Sequence, residues 1–269
     1  DLDKKKYFKA FRKLFNYPYK FFLDKFRQLF SLKKKNLDKD NRIFENKSLN
    51  DLFIEFNSDK ASKFIINKKQ IDGHNYSPIY EKYFQKYKNV KNLNILEIGS
   101  LRGSGTASFY YYFDKPKIFC VDINPFQIEI YSKNIRILYS DTKSKKTLIN
   151  LRSYLNKNFD IIIDDGSHNI RDQIITMNIF FEKLKTGGLY VIEDSSQYLS
   201  AKSLNPDKLN YGSKDILLSI KKKNMEKIKY LSIDEINHLN LSMGNIFSEK
   251  GNYIENGINI SEIIFIEKN

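Results

Sequence analysis

At 269 residues with a formal net charge of +14, the chain is long enough for one large domain, or for one domain with an appendage. A hydrophobic content of 41% with 14% aromatic residues argues against disorder, and a single cysteine, Cys120, leaves no intrachain disulfide and no cysteine metal cluster. No apolar stretch is long enough to span a bilayer and no signal-peptide hydrophobic region is read, so the expected location is the reducing cytoplasm.

The positive charge is concentrated at the start. Residues 1–36 carry +9 of it, and Phe8, Phe11, Phe15, Phe22, Phe26, Leu29 and Phe30 recur at helical spacing there, with a break at Pro18. This basic aromatic arm, with a polar linker to residue 48, reads as an accessory helix. Its uses are packing on the core or on a second copy in a homo-oligomer, or peripheral contact with an anionic membrane surface. No recognisable nucleic-acid module is present, and no nucleic-acid partner is expected.

Residues 49–92 read as helix, glycine-containing loop and helix. From residue 93 the pattern changes to short apolar runs, "LNILEIG", "KIFCVDI", "IRILYSD", "FDIIIDD" and "GLYVIED". Helix-length segments lie between them at 104–113, 125–133, 144–156 and 169–185. Strand and helix alternating at this interval define βαβ units around a buried parallel sheet, an α/β Rossmann-like fold. The tail offers further strands near 228–233, 244–248 and 261–267.

In such a sheet, ligands bind beyond the carboxyl ends of the strands. The first turn, "LEIGSLRGSGTAS", spaces Glu97, Gly99, Gly103 and Gly105 differently from the dinucleotide pattern. Glycines there let a backbone approach a ligand. Asp122, ending the second strand, is placed to accept both hydroxyls of a ribose, and Asp141 after the third is placed to accept from an adenine amino group. Asp164 and Asp165 then end the fourth strand, and Glu193 and Asp194 the fifth. Four carboxylates at neighbouring strand ends repel one another, so a divalent cation with oxygen ligands is expected among them, Mg²⁺ first and Mn²⁺ or Ca²⁺ as alternatives. His168, three residues after Asp165, is the candidate general base.

Acid, glycine turn, acid, acid over residues 90–195 resembles the class I S-adenosylmethionine-dependent methyltransferases. The resemblance implies a mostly parallel seven-stranded sheet with helices on both faces, and S-adenosylmethionine as donor with S-adenosylhomocysteine as product. The run D-D-G-S-H followed by E-D is similar to the metal-dependent sugar O-methyltransferases of the macrolide type, and to related domains of bacterial capsule and lipooligosaccharide biosynthesis. That likeness implies metal ligands Asp165, Glu193 and Asp194, with His168 and Asp165 at the catalytic centre. The donor-binding set it implies is Glu97, Gly99, Ser100, Gly103, Asp122, Ile123, Asp141 and Asp164. His74, Tyr76 and Tyr80, in "HNYSPIYEKYF", match the stretch that covers the donor, although Ala61 stands where a glycine is expected after Lys60.

The function so implied is methyl transfer to a hydroxyl of a sugar or nucleotide-sugar in surface polysaccharide biosynthesis. A catechol-type enzyme is the alternative, but the Asn expected after the acidic pair of its metal site is not found. An RNA-binding scaffold on the same fold is the alternative of another class. The acceptor walls are expected from 196–225 and 234–258, and the lysines of "SSQYLSAKSLNPDKLNYGSK" suit an anionic acceptor.

Overall fold

Each apolar run from residue 93 onward becomes a strand because helices cover both faces of the sheet it joins. The structure, a computed structural model, describes residues 34–40, 42, 44 and 46–269, and Asn36–Asn269 forms one compact unit. The phenylalanine stripe from Phe8 to Phe30 lies outside the described residues. Leu37 and Phe44, in the stretch read as linker, are buried in the core.

Helix α1, Leu49–Glu55, opens on a capping box between Ser48 and Asp51. The loop expected after it is a β-hairpin, β1 at Lys63–Ile66 and β2 at Lys69–Asp72. Asn67 and Lys68 turn it with φ of 50° and 65°, both left-handed, as a two-residue hairpin of this twist requires. Helix α2, Ser77–Phe84, follows. Then come β3 (Asn94–Ile98), α3 (Ser104–Tyr112), β4 (Lys117–Asp122), β5 (Ile135–Tyr139), α4 (Lys145–Tyr154), β6 (Phe159–Asp164), α5 (Ile170–Phe181) and β7 (Leu184–Ile192). Helices α6 (Ser213–Lys222) and α7 (Ile233–Ser242) and strands β8 (Met243–Lys250) and β9 (Glu262–Lys268) complete the unit.

Two expectations are corrected. Residues 125–133 form no α-helix: a short 3₁₀ turn at Pro125–Gln127 gives way to extended chain, held there because Ile128 and Ile130 are buried against Gly103. Residues 228–233 are no strand, and α7 starts at their end under a capping box from Ser232 and Glu235.

The seven-stranded sheet runs β8-β9-β7-β6-β3-β4-β5. Its five core strands are parallel, and β9 is antiparallel to both neighbours. The chain moves outward from β3 to β5, then returns to the other side of β3 as β6, so the switch in strand order falls between β3 and β6. Register matters here. Ile98 lies opposite Asp164, and Asp164 opposite Ile192, so Gly99, Asp165 and Glu193 leave the sheet at one level.

Gly99 is needed for that closeness, for reasons internal to the protein. Its φ is +90°, and a Cβ on it would collide with the backbone carbonyl of Asp165. Gly103, with φ +87°, would meet Ile130 in the same way. The glycines expected to admit a ligand therefore first admit neighbouring chain. Gly99→Ala should combine backbone strain with overpacking and lower the melting temperature by roughly 5–15 °C, measured by circular dichroism.

Candidate functional site

At the switch point lies a cleft of about 240 Å³, lined by Ile98, Gly99, Val121, Asp122, Ile123, Ser140, Asp141, Thr142, Lys143, Gly166 and Ser167. Of the expected donor residues, Gly99, Asp122, Ile123 and Asp141 line it. Asp122 accepts from the Leu101 amide at 2.9 Å, the Asn124 amide at 2.7 Å and the Gln127 side chain at 3.1 Å. These bonds fix its carboxylate, while burial pushes its pKa up and the hydrogen bonds pull it back. Ile123 is 49% exposed and presents an apolar surface at the rim.

Glu97, Ser100, Gly103, Asp164, His74 and Tyr76 do not line the cleft. Glu97 is buried behind it, accepting from Ser100 at 3.0 Å and from Thr106. Asp164, at the end of β6, accepts from Gly166 N at 3.3 Å and from the Tyr190 hydroxyl at 3.3 Å, and burial pushes its pKa up to about 8.

The four strand-end acids do not form one cluster. Successive residues of an extended strand point to opposite faces, so Asp164 turns toward Tyr190 and Asp165 away from it. Glu193 shares the side of Asp165. A further extended residue would be thrown to the far side, but Asp194 has φ 53°, and this left-handed turn brings it back. Asp165, His168 and Asp194 thereby gather: one ligand-type atom from each lies within 4.8 Å of the others. His168 also has left-handed backbone, φ 55°, immediately before Asn169 caps α5. Two non-glycine residues in this region at one site mark a constraint that the surrounding packing enforces.

Glu193, expected as a metal ligand, is outside that trio. It is 1% exposed and accepts from Lys60 Nζ at 2.7 Å and from the Tyr80 hydroxyl. Lys60 Nζ also lies 2.5 Å from Asp165 Oδ2. Asp194 accepts from Tyr76 at 2.5 Å and lies 3.0 Å from His74 Nδ1. His74 in turn contacts Ser261 at 3.0 Å and stacks on Tyr253 with ring centroids 4.9 Å apart. His74 and Tyr76, expected to cover the donor, both reach Asp194.

The premise that four acids demand a metal ion is therefore corrected: part of the charge is met within the chain. Burial opposes the Lys60 ammonium, yet Asp165 and Glu193 raise its pKa well above the usual lysine range. Burial opposes the Asp194 carboxylate, but the His74 hydrogen bond and charge take its pKa down to about 2. Burial likewise works against charged His74, and Asp194 outweighs it, so the imidazole pKa is raised. Burial in turn pushes the pKa values of Asp165 and Glu193 up, that of Glu193 well above the usual carboxylate range, against the pull of the Lys60 ammonium. His168 Nδ1 is buried and has no hydrogen-bond partner among the described residues. The Asp165 and Asp194 carboxylates could offer the oxygen ligands that a hard divalent ion such as Mg²⁺ or Mn²⁺ takes, with His168 beside them.

Strand order, cleft and switch point together define the class I S-adenosylmethionine-dependent methyltransferase fold. The chain superposes on the MycE methyltransferase of mycinamycin biosynthesis, determined in complex with Mg, SAH and mycinamycin VI, with a TM-score of 0.59 and 20% identity over 83% of this chain and 55% of that one. In sequence it is similar to demethylmacrocin O-methyltransferase of Streptomyces fradiae, 29% identical over 128 residues, which is 45% of this chain and 32% of that protein. It is similar to the mycinamicin VI 2''-O-methyltransferase of Micromonospora griseorubida to the same 29%, over 45% of this chain and 31% of that one. The chain thus spans about a third of the length of the curated relatives it matches. No family model matches it.

Asp122→Ala should leave the two backbone amides and the Gln127 side chain without their acceptor. The expected loss is about 2 kcal/mol of unfolding free energy, read by urea denaturation.

Proposed function

We propose that this chain transfers a methyl group from S-adenosylmethionine to a sugar hydroxyl with the help of a divalent cation. The observation that carries the reading is the shared wall of the cleft and the Asp165–His168–Asp194 group. Gly99 packs on the Asp165 backbone, and Gly166, next in the chain, lines the cleft. The nucleoside cleft and the acidic trio are thus two sides of one turn.

S-adenosylmethionine would supply the electrophilic methyl group, and Mg²⁺ or Mn²⁺ a Lewis acid for the acceptor oxygen. Asp122 accepts from the ribose hydroxyls, Ile123 packs against the base, and Asp141 receives its amino group. Asp165 and Asp194 would hold the ion. His168 takes the acceptor's hydroxyl proton from its place beside Asp165, Nε2 being 3.8 Å from Oδ1. The residues behind the trio keep these groups in place, so that orientation contributes to the rate.

The acceptor proposed is a sugar of bacterial surface polysaccharide, carried on a nucleotide or a growing glycan. Lys202 and Lys208, in the connection after β7, suit its phosphate groups. The relatives named are O-methyltransferases of demethylmacrocin and of the 2'' position of mycinamicin VI, and two further ones methylate the rhamnosyl group of a tetracenomycin-C, which supports the sugar and leaves the capsule or lipooligosaccharide setting as part of the proposal. Among the described residues, no helix is long and apolar enough to cross a membrane. Peripheral contact and self-association through residues 1–36 belong to the same proposal.

Two measurements test it. Incubation with S-adenosylmethionine and a panel of nucleotide-sugars, read by mass spectrometry, should add 14 Da to at least one of them (the mass of CH₂, replacing O–H by O–CH₃). EDTA should abolish that product and Mg²⁺ or Mn²⁺ restore it; transfer indifferent to both removes the cation. His168→Ala should lower kcat by about 10²–10⁴-fold while the Mn²⁺ dissociation constant stays unchanged. Loss of Mn²⁺ binding in that variant would make His168 a ligand instead.

A further inference from the structure

Lys60 has no part in the chemistry above, yet it is among the most deeply placed charges in the protein. It follows α1 in a loop before β1, and its side chain runs inward until it is 4% exposed. The ammonium ends between two strands, 2.5 Å from Asp165 Oδ2 and 2.7 Å from Glu193 Oε2. A Cβ on Gly105 would come within 3.1 Å of its Cε, so α3 leaves room for the stem by carrying a glycine there. The two oxygens of Asp165 are divided: Oδ2 faces Lys60, and Oδ1 faces His168 Nε2 at 3.8 Å.

We propose that Lys60 is a positioning residue, the resident cation of the carboxylate cluster. It joins Asp165 to Glu193 without a metal ion and leaves the other oxygen of Asp165 facing His168. Its effect on turnover rests on the methyl-transfer reading, but the arrangement has consequences of its own. A buried pair stripped of one partner is strongly destabilised, and a charge next to a metal ligand weakens the attraction for a metal ion. The protein should therefore keep its fold without metal and bind metal only moderately.

Lys60→Met keeps much of the stem and deletes the charge. Wild type should keep its fold in EDTA and gain less in melting temperature from Mn²⁺ than the variant does. Lys60→Met should melt lower in EDTA and recover most of the loss in saturating Mn²⁺. By electron paramagnetic resonance it should bind Mn²⁺ at least ~10-fold more tightly than wild type, while methyl transfer falls. Glu193→Gln in the same background removes one carboxylate and should return Mn²⁺ affinity toward wild type. If Lys60→Met does not fold, recovery of the fold in that double variant supports the proposal and failure to recover it overturns it. An unchanged Mn²⁺ constant, or an equal loss of melting temperature with and without Mn²⁺, also overturns it, even where wild type binds metal and methylates. Wild type that binds no Mn²⁺ removes the metal reading. The Lys60 assignment then stands if Lys60→Met gains Mn²⁺ binding, and falls if it does not.

Discussion

A carboxylate at the end of a buried parallel strand is removed from water by the helices on either side, and it keeps its charge only where a partner offsets that loss. Around this constraint the site is built. Asp164 meets a tyrosine hydroxyl and a backbone amide, and burial drives it toward the protonated form. Asp165 and Glu193 meet an ammonium. Asp194 meets an imidazole and a phenol. These arrangements sort four chemically similar acids into different roles, as expected where environment sets the protonation state.

The sheet supplies the other half of the constraint, which is geometric. Parallel register brings the ends of β3, β6 and β7 level, and the left-handed glycine after β3 lets its turn lie directly on the turn after β6. The cleft and the acidic trio can then be neighbours without a loop reaching between them. A rigid frame of this kind holds reacting groups more accurately than mobile loops do.

Much of this was legible from residue order. Strand-length apolar runs separated by helix-length segments marked the sheet, and acids directly after those runs marked its functional edge. Asp122, Ile123 and Asp141 were singled out in that way, and all three line the cleft. The partners of the acids were harder to see. Lys60 is one of 46 Lys and Arg residues, and a lysine in a polar loop reads as solvated unless the fold that buries it is known. Its trace was indirect: Tyr76, Tyr80 and Phe84 recur every four residues, placing two phenols on an aromatic face that becomes fully buried. A buried phenol needs a hydrogen-bond partner, and here the partners are Asp194 and Glu193. The separation of Asp164 from Asp165 follows from strand alternation, whereas the return of Asp194 depends on a backbone angle that no side chain announces. The tail was partly misread because α7 interrupts a series of branched residues equally suited to a strand.

The ammonium, imidazole and phenols that steady Asp165, Glu193 and Asp194 come from one continuous stretch, Lys60 to Tyr80, whereas these acids lie 105 to 133 positions later in the chain. During synthesis the stretch emerges early, and its full set of acidic partners exists only once β7 is complete. Contacts so distant along the chain form late. The nascent amino-terminal half must therefore wait, with Tyr76, Tyr80 and Lys60 still wet, for the last parallel strand to arrive and close the molecule around them.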